Sequence, residues 1–138
     1  MDTQGNRIRV LLAEDHEVLR TALRELLTLQ PDIEVVAEAA DGLEAVRLAA
    51  ALAPDVVVMD VRLPRQEGAE STRAIKAARP ATVVLALSAH SNRRVVDAML
   101  AAGASGYVPK SAAVDELAAA IRVTAAGQTY SSPRLQDT

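Results

Sequence analysis

Five short runs of β-branched and aliphatic residues alternate with five longer stretches of helical spacing. That alternation limits the chain to very few folds. The runs are Ile8 to Ala13, Ile33 to Ala37, Val56 to Met59, Val83 to Leu87 and Gly106 to Val108. Between the first two, Val18, Leu19, Ala22, Leu23, Leu26 and Leu27 recur at three- and four-residue steps, the mark of a helix with one apolar face. Leu43, Val46, Arg47, Ala50 and Ala51 repeat the rule with small residues, and Ile75 and Ala78 carry it into a third helix. Val95, Val96, Met99 and Leu100 give a fourth helix, and Val114, Leu117, Ala118 and Ile121 a fifth. Pro31, Pro54 and Pro80 each precede a strand, where a helix has to stop. Asp41-Gly42, Gly103 and Gly127 stand at turn or helix-end positions. Asn92 is placed to cap the fourth helix and Ser111 the fifth.

Strands alternating with helices build a parallel sheet covered on both faces. Val56 to Met59 is apolar at every position, as a doubly covered central strand should be. Right-handed crossovers leave few topologies. The expected one is the flavodoxin-like, doubly wound α/β order 2-1-3-4-5, with five strands and five helices. Its switch point lies between strands 1 and 3, and ligands bind there at the carboxyl ends of the strands. The residues at that point are Glu14 to His16 and Asp60 to Pro64.

Composition removes several functions. A chain of 138 residues suggests one domain. Half the residues are hydrophobic, yet the only rings are Tyr107 and Tyr130. Alanine supplies 28 residues, so the core is a sum of many small contacts. With no Cys there is no disulfide framework, thiolate metal site or Cys nucleophile. Stacking of nucleic-acid bases lacks its aromatic platforms. A net charge of −3 argues against a sequence-independent grip on nucleic acid. No apolar run approaches the roughly 20 residues of a membrane span. Met1 to Arg9 is polar, without the apolar core of a signal peptide. A soluble, cytoplasmic domain is expected.

Glu14 and Asp15 follow strand 1, and Asp60 follows strand 3. In this topology three carboxylates converge on one crevice. Crowded like charges raise one another's pKa unless a cation binds. Acids are also common at strand ends, and Asp15 would favour the start of helix 1. An oxygen-only donor set without His or Cys suits Mg²⁺. Ser88 follows strand 4 and Lys110 follows strand 5, at the same end of the sheet. Only Lys76 and Lys110 among fifteen basic residues are lysines, and Lys110 stands where an ammonium reaches Asp60. Carboxylates, a cation, a hydroxyl and an ammonium around one crevice make a phosphoryl-transfer site, with Asp60 as nucleophile.

Ala-Glu-Asp-His at 13–16, Val-Met-Asp-Val-Arg-Leu-Pro at 58–64, Leu-Ser-Ala at 87–89 and Gly-Tyr-Val-Pro-Lys at 106–110 stand in this order. Together they resemble the CheY-like receiver domains of two-component response regulators, over about residues 7 to 126. Gly-Ala-Ser-Gly-Tyr before Lys110 and Ala-Ala-Gly-Gln-Thr-Tyr-Ser-Ser-Pro at 125–133 resemble the NarL/FixJ (LuxR-type) branch. The resemblance implies that Asp60 accepts a phosphoryl group from a sensor histidine kinase. It implies that Asp15, Asp60 and the backbone carbonyl of Arg62 ligate Mg²⁺, with Glu14 acting directly or through water. Lys110 would pair with one phosphoryl oxygen and Ser88 would hydrogen-bond another. Tyr107 would be the aromatic switch that turns inward as Ser88 moves toward the phosphate. Pro64 and Gly68 would shape the loop after the acceptor.

On this reading residues 1–126 are the receiver domain. Residues 127–138 are a linker or tail leading toward a helix-turn-helix domain absent from this chain. The expected function is control of transcription through that domain. The chain would catalyse only its own phosphorylation and slow dephosphorylation, with no membrane partner. A homodimer is expected on activation, through helices 1 and 5 or the helix 4–strand 5–helix 5 face. The alternatives are a free-standing receiver, an inactive pseudo-receiver or an Asp-nucleophile phosphohydrolase. Hydrolases of the haloacid-dehalogenase type carry a second Asp two residues after the nucleophile, where this chain has Arg62. Glu14 and Ser88 depart from the commoner Asp and Thr without losing a chemical group. Ser111 replaces the Pro that often follows the active-site Lys across a cis bond, and a non-proline cis bond costs several kcal/mol. His16 reads as a capping residue; Arg62, two residues past Asp60, and His90, two past Ser88, could govern water access. Arg93 and Arg94 read as a solvated face and Tyr130 as packing or linker, while Arg65, Gln66 and Glu67 carry no assigned role.

Overall fold

The central strand sets the frame. All five residues of β3 (Val56–Asp60) are buried, so both of its faces must be covered. In the computed structural model, which describes residues 7–89 and 93–133, β3 lies between β1 (Ile8–Ala13) and β4 (Val83–Ser88). The outer members are β2 (Ile33–Ala39), β5 (Gly106–Pro109) and β6 (Tyr130–Ser131). The order is β2-β1-β3-β4-β5-β6, every pair parallel. The helices are α1 (Glu17–Thr28), α2 (Gly42–Leu52), α3 (Gly68–Ala78), α4 (Arg93–Ala102) and α5 (Ala113–Ala125).

The two-residue period of each strand divides the core. Leu11, Ala13, Val57, Met59, Val84 and Ala86 pack with Ala45, Ala49, Ile75, Val96 and Met99 of α2, α3 and α4. Val10, Leu12, Val56, Val58, Leu85 and Leu87 face the other way, onto Leu23 and Leu27 of α1 and Leu117 and Ile121 of α5. Among the described residues no helix is long and apolar enough to cross a membrane.

The predicted order 2-1-3-4-5 holds, and the structure adds a sixth strand inside the stretch read as a tail. Tyr130 pairs with Gly106 and Ser131 with Tyr107. A Cβ at Gly106 would lie 2.7 Å from the Tyr130 carbonyl oxygen, so the bare backbone of Gly106 is what admits the extra strand. A two-residue strand has no hydrophobic period, which is why the sequence pattern passes over it. The expected cap at Ser111 also differs. Lys110–Ala112 forms a single 3₁₀ turn, and Ala112 is the N-cap of α5, without a side-chain cap. The described peptide bonds are all trans, Lys110–Ser111 included. His90 and Asn92 lie outside the described residues.

Two loops are pinned from below the acid crevice. Asp41 caps α2 by accepting the Glu44 N–H at 2.8 Å. The Gly42 N–H donates to the Pro64 carbonyl at 3.1 Å, tying α2 to the loop after β3. A Cβ at Gly42 would strike the Gln66 carbonyl, so that latch requires glycine. Arg65 in the same loop has φ +70°.

Helix α2 ends on Ala53 in the left-handed region, φ 49° and ψ 58°. The Arg9 guanidinium accompanies it by donating to the Leu52 and Ala53 carbonyls at 2.8 and 2.9 Å. A left-handed L-residue costs roughly 1–2 kcal/mol, and glycine escapes that cost at a smaller entropic one. Ala53→Gly is therefore expected to stabilise the protein by about 0.5–1 kcal/mol in urea unfolding at unchanged m-value. A loss of stability would contradict the left-handed cap.

Candidate functional site

The register brings the strand ends level. Ala13 pairs with Met59, so Glu14, one residue past β1, comes beside Asp60. Asp60 pairs with Leu87, and Ser88 with Pro109, so Ser88 and Lys110 complete the row. Glu14, Asp60 and Ser88 are all buried, at 0%, 2% and 1% exposure. Lys110 reaches across from the end of β5. Its Nζ lies 2.8 Å from Asp60 Oδ2 and 3.0 Å from Glu14 Oε1. One ammonium from the end of β5 thus bridges two buried carboxylates from the ends of β1 and β3.

Each partner's ionisation follows from this arrangement. Burial raises the Asp60 pKa to about 6; the Lys110 hydrogen bond opposes the rise and the Glu14 charge adds to it. Burial would also raise Glu14. The His16 N–H at 2.9 Å and the Lys110 ammonium outweigh it and hold Glu14 below the usual carboxylate range. Burial alone would lower Lys110, but hydrogen bonds to Asp60 and Glu14 carry its pKa upward. The site thus holds one anionic carboxylate, one easily protonated carboxylate and a firmly charged ammonium.

Asp15 is part-exposed, and its Oδ1 is buried without a hydrogen-bond partner. Glu14 Oε1 faces Lys110 at ion-pair distance but makes no hydrogen bond. One ligand atom from each of Glu14, Asp15, His16 and Asp60 lies within 4.8 Å of the others. An Asp15 oxygen without a hydrogen bond beside two buried carboxylates suits a hard divalent cation such as Mg²⁺. Arg62 donates its backbone N–H to Asp60 Oδ1 at 3.3 Å, and its exposed guanidinium lies 3.7 Å from Glu67 Oε2. Tyr107 is 1% exposed, its ring inside the α2–α3–α4 face of the core. Gly68 sits so close below Asp60 that a Cβ would meet the Asp60 carbonyl. Lys76 lies elsewhere and donates to the Pro80 and Thr82 carbonyls beyond α3.

Two contacts escaped the sequence reading. His16 is the N-cap of α1, as expected, but its ring does not cap the helix. Nδ1 instead lies 2.9 Å from Glu14 Oε2 and 3.5 Å from Lys110 Nζ. Arg20 donates to the Glu14 carbonyl at 2.8 Å and pairs with Glu38 of β2 at 3.1 Å. No sequence motif marks Arg20. Its helical position one turn into α1 is the available signal. A cavity of about 420 Å³ lined by Arg7, Pro54, Asp55, Arg79 and Thr82 lies at the opposite end of the sheet, away from this chemistry.

Comparison with known proteins agrees with the fold. The chain matches the response regulator receiver domain family over residues 10–122. It is 37% identical over 130 residues to the transcriptional regulatory protein DegU of Brevibacillus brevis, covering 94% of this chain and 55% of DegU. It is 40% identical over 121 residues to the transcriptional regulatory protein LiaR of Bacillus subtilis, covering 88% of this chain and 57% of LiaR. Among solved structures it is similar to a LuxR-family two-component response regulator from Aurantimonas sp. SI85-9A1. There the TM-score is 0.89 and the identity 40%, over 94% of this chain and 92% of that one. It is also similar to the receiver domain of the putative response regulator NarL from Mycobacterium tuberculosis. There the TM-score is 0.85 and the identity 33%, over 89% of this chain and 99% of that one. The chain belongs to the response regulator receiver domain family, and its relatives are of the LuxR/NarL kind. It spans a little over half the length of these two curated relatives.

The Asp60 pKa has a consequence for stability. Its folded value, about 6, lies above the ordinary 3.8, so the native state binds more protons between those values. Stability contributed by Asp60 is then full below about pH 4 and lost as pH rises through about 6. Asp60→Asn removes that cost and leaves Lys110 paired with Glu14. In EDTA the variant is expected to melt above wild type at pH 7.5, with the gain shrinking between pH 6 and pH 4. Equal melting temperatures across that range would refute the raised pKa.

Proposed function

We propose that this chain is the phospho-acceptor module of a two-component system, with Asp60 as the residue that takes the phosphoryl group. The observation that carries the reading is the Lys110 ammonium, 2.8 Å from Asp60 Oδ2 at the carboxyl end of the sheet. The donor is a phosphohistidine on a sensor histidine kinase. An Asp60 oxygen attacks phosphorus, the P–N bond breaks, and its electron pair returns to the kinase imidazole. Lys110 moves its hydrogen bond from the Asp60 carboxylate to a phosphoryl oxygen. Ser88, at the end of β4, donates its hydroxyl to another. Both donors are positioned before reaction, which is where their contribution lies.

Asp15, Asp60 and the Arg62 carbonyl would hold Mg²⁺, with Glu14 bound directly or through water. The buried Asp15 Oδ1, which accepts no hydrogen bond, supports that assignment. The ion's contribution is charge neutralisation on the phosphoryl oxygens. Glu14 keeps a second role, anchoring Lys110 beside the acceptor.

Phosphorylation then biases the α4–β5–α5 surface. The shift of Ser88 toward the phosphoryl group holds Tyr107 inward, and the surface serves an activated homodimer. The similarity to the transcriptional regulatory proteins DegU and LiaR supports a parent protein that regulates transcription, with DNA contacted by a segment outside this chain. The chemistry is performed once on the chain itself, and hydrolysis of phospho-Asp60 resets it.

Acetyl phosphate with Mg²⁺ is expected to add the mass of one phosphoryl group to the intact protein. Asp60→Asn or excess EDTA should leave the mass unchanged. An unmodified wild type that also ignores a range of histidine kinases would make the domain an inactive pseudo-receiver.

A further inference from the structure

The sixth strand lies against the residue proposed as the switch. Ser131 pairs with Tyr107 itself, and the Tyr130 N–H donates to the Ser105 carbonyl at 3.1 Å. Tyr130 is fastened a second time, its hydroxyl donating to Glu116 Oε1 on α5 at 2.8 Å. Burial, and then Glu116, push its phenol up to about 12, so it stays a donor at physiological pH. Ser132, next along, is 3% exposed, which extends the docked segment past the strand. Between β6 and α4 lies a cavity of about 290 Å³, lined by Val96, Leu100, Tyr107, Thr129 and Ser131. That cavity is the space beside the buried ring, and β6 forms its outer wall. An outward Tyr107 ring would enter the space that Thr129 and Ser131 border.

We infer that β6 is a latch coupled to Tyr107: its docking closes the ring inside, and its release accompanies the outward ring. The inference rests on the receiver reading above, in which the inward ring belongs to the phosphorylated state. The tail thereby becomes the element that carries the state of Asp60 out of the domain. Coupling is reciprocal, so whatever loosens β6 must weaken ligand binding at Asp60, although the acid bonded by Tyr130 of β6, Glu116, lies on α5 outside the crevice. Gly106 provides the means to test this. Its φ lies outside the left-handed region, so Ala fits the backbone, but the new Cβ would collide with the Tyr130 carbonyl and push β6 off the sheet.

The experiment uses the full chain labelled with 3-fluorotyrosine and titrated with beryllofluoride and Mg²⁺. The two tyrosines give two ¹⁹F signals, assigned with Tyr130→Phe. The fluorides of bound beryllofluoride report occupancy of Asp60 in the same spectra. In wild type both tyrosine signals should move with the same midpoint as that occupancy, and amide exchange at 130–131 should slow. Gly106→Ala should show the Tyr130 signal undocked from the outset and bind beryllofluoride at least about fivefold more weakly. Tyr130→Phe, which cuts only the Glu116 bond, should weaken it less. A Tyr130 environment indifferent to beryllofluoride would overturn the inference and leave the receiver reading intact. So would a Gly106→Ala protein with an undocked tail and unchanged affinity. Wild type without bound beryllofluoride would overturn the receiver reading and the latch together.

Discussion

Two buried carboxylates share one ammonium, and the strand order is what lets them. β1 and β3 are neighbours, so Glu14 and Asp60 come side by side. β4 stands between β3 and β5, so the counter-charge must cross a strand to reach them. A lysine has the long flexible stem for that reach and a compact head that can face two oxygens at once. An isolated pair of buried carboxylates would be far more costly, since charge taken from water is tolerated only when paired. Lys110 therefore permits the two acids to coexist, and their burial, with the Glu14 charge adding to it, is what remains in the raised Asp60 pKa. A site in that state is poised. Any ligand bringing positive charge to the acids, or sharing the ammonium, relieves a cost already present in the fold.

Much of this was legible because the informative residues sit one step past a strand. Asp60 ends β3, Ser88 ends β4, and Glu14 and Lys110 follow β1 and β5 directly. A parallel sheet puts all strand ends of one kind on one side, so positions along the sequence convert into a cluster in space. What stayed illegible lacks that conversion. Arg20 approaches Glu14 from a helix, and its effect depends on a side-chain rotamer and on Glu38 of β2. The Ser111 cap was displaced by a 3₁₀ turn set by the chain's path after Lys110. β6 has two residues and depends on the missing side chain of Gly106, a long-range condition that no local pattern carries.

Holding the acids in place falls to contacts outside the crevice. Arg20 fastens the Glu14 carbonyl while Glu38 fastens Arg20, so β2 steadies the loop after β1. On the other side, the Gly42 N–H fastens Pro64, so α2 steadies the loop after β3. Charge must be preorganised to act without reorganisation, and these ties are how the fold supplies it. They also explain why the loop around Arg65 sustains a positive φ at a residue with a full side chain. Its neighbours Pro64 and Gln66 are fixed by other elements, and Arg65 must span between them.

The scarcity of rings gives the packing around Tyr107 unusual leverage. The core face that holds it includes Val84, Ala86, Val96, Met99 and Ala104. Apart from the flexible Met99, these side chains are short and could not expand to fill the place of a departed ring. Loss of a buried aromatic from a close-packed site costs several kcal/mol when the surroundings cannot collapse. In this core the inward ring is thus favoured by the lack of a substitute. An outward ring would require compensation from outside the core, and the adjacent cavity behind β6 is where the described structure leaves room for it. In the switch proposed above, an alanine-rich interior with one well-placed ring would make that ring's position a two-state variable rather than a continuous one. That is the property a domain needs if a change at Asp60 is to be read at its far edge.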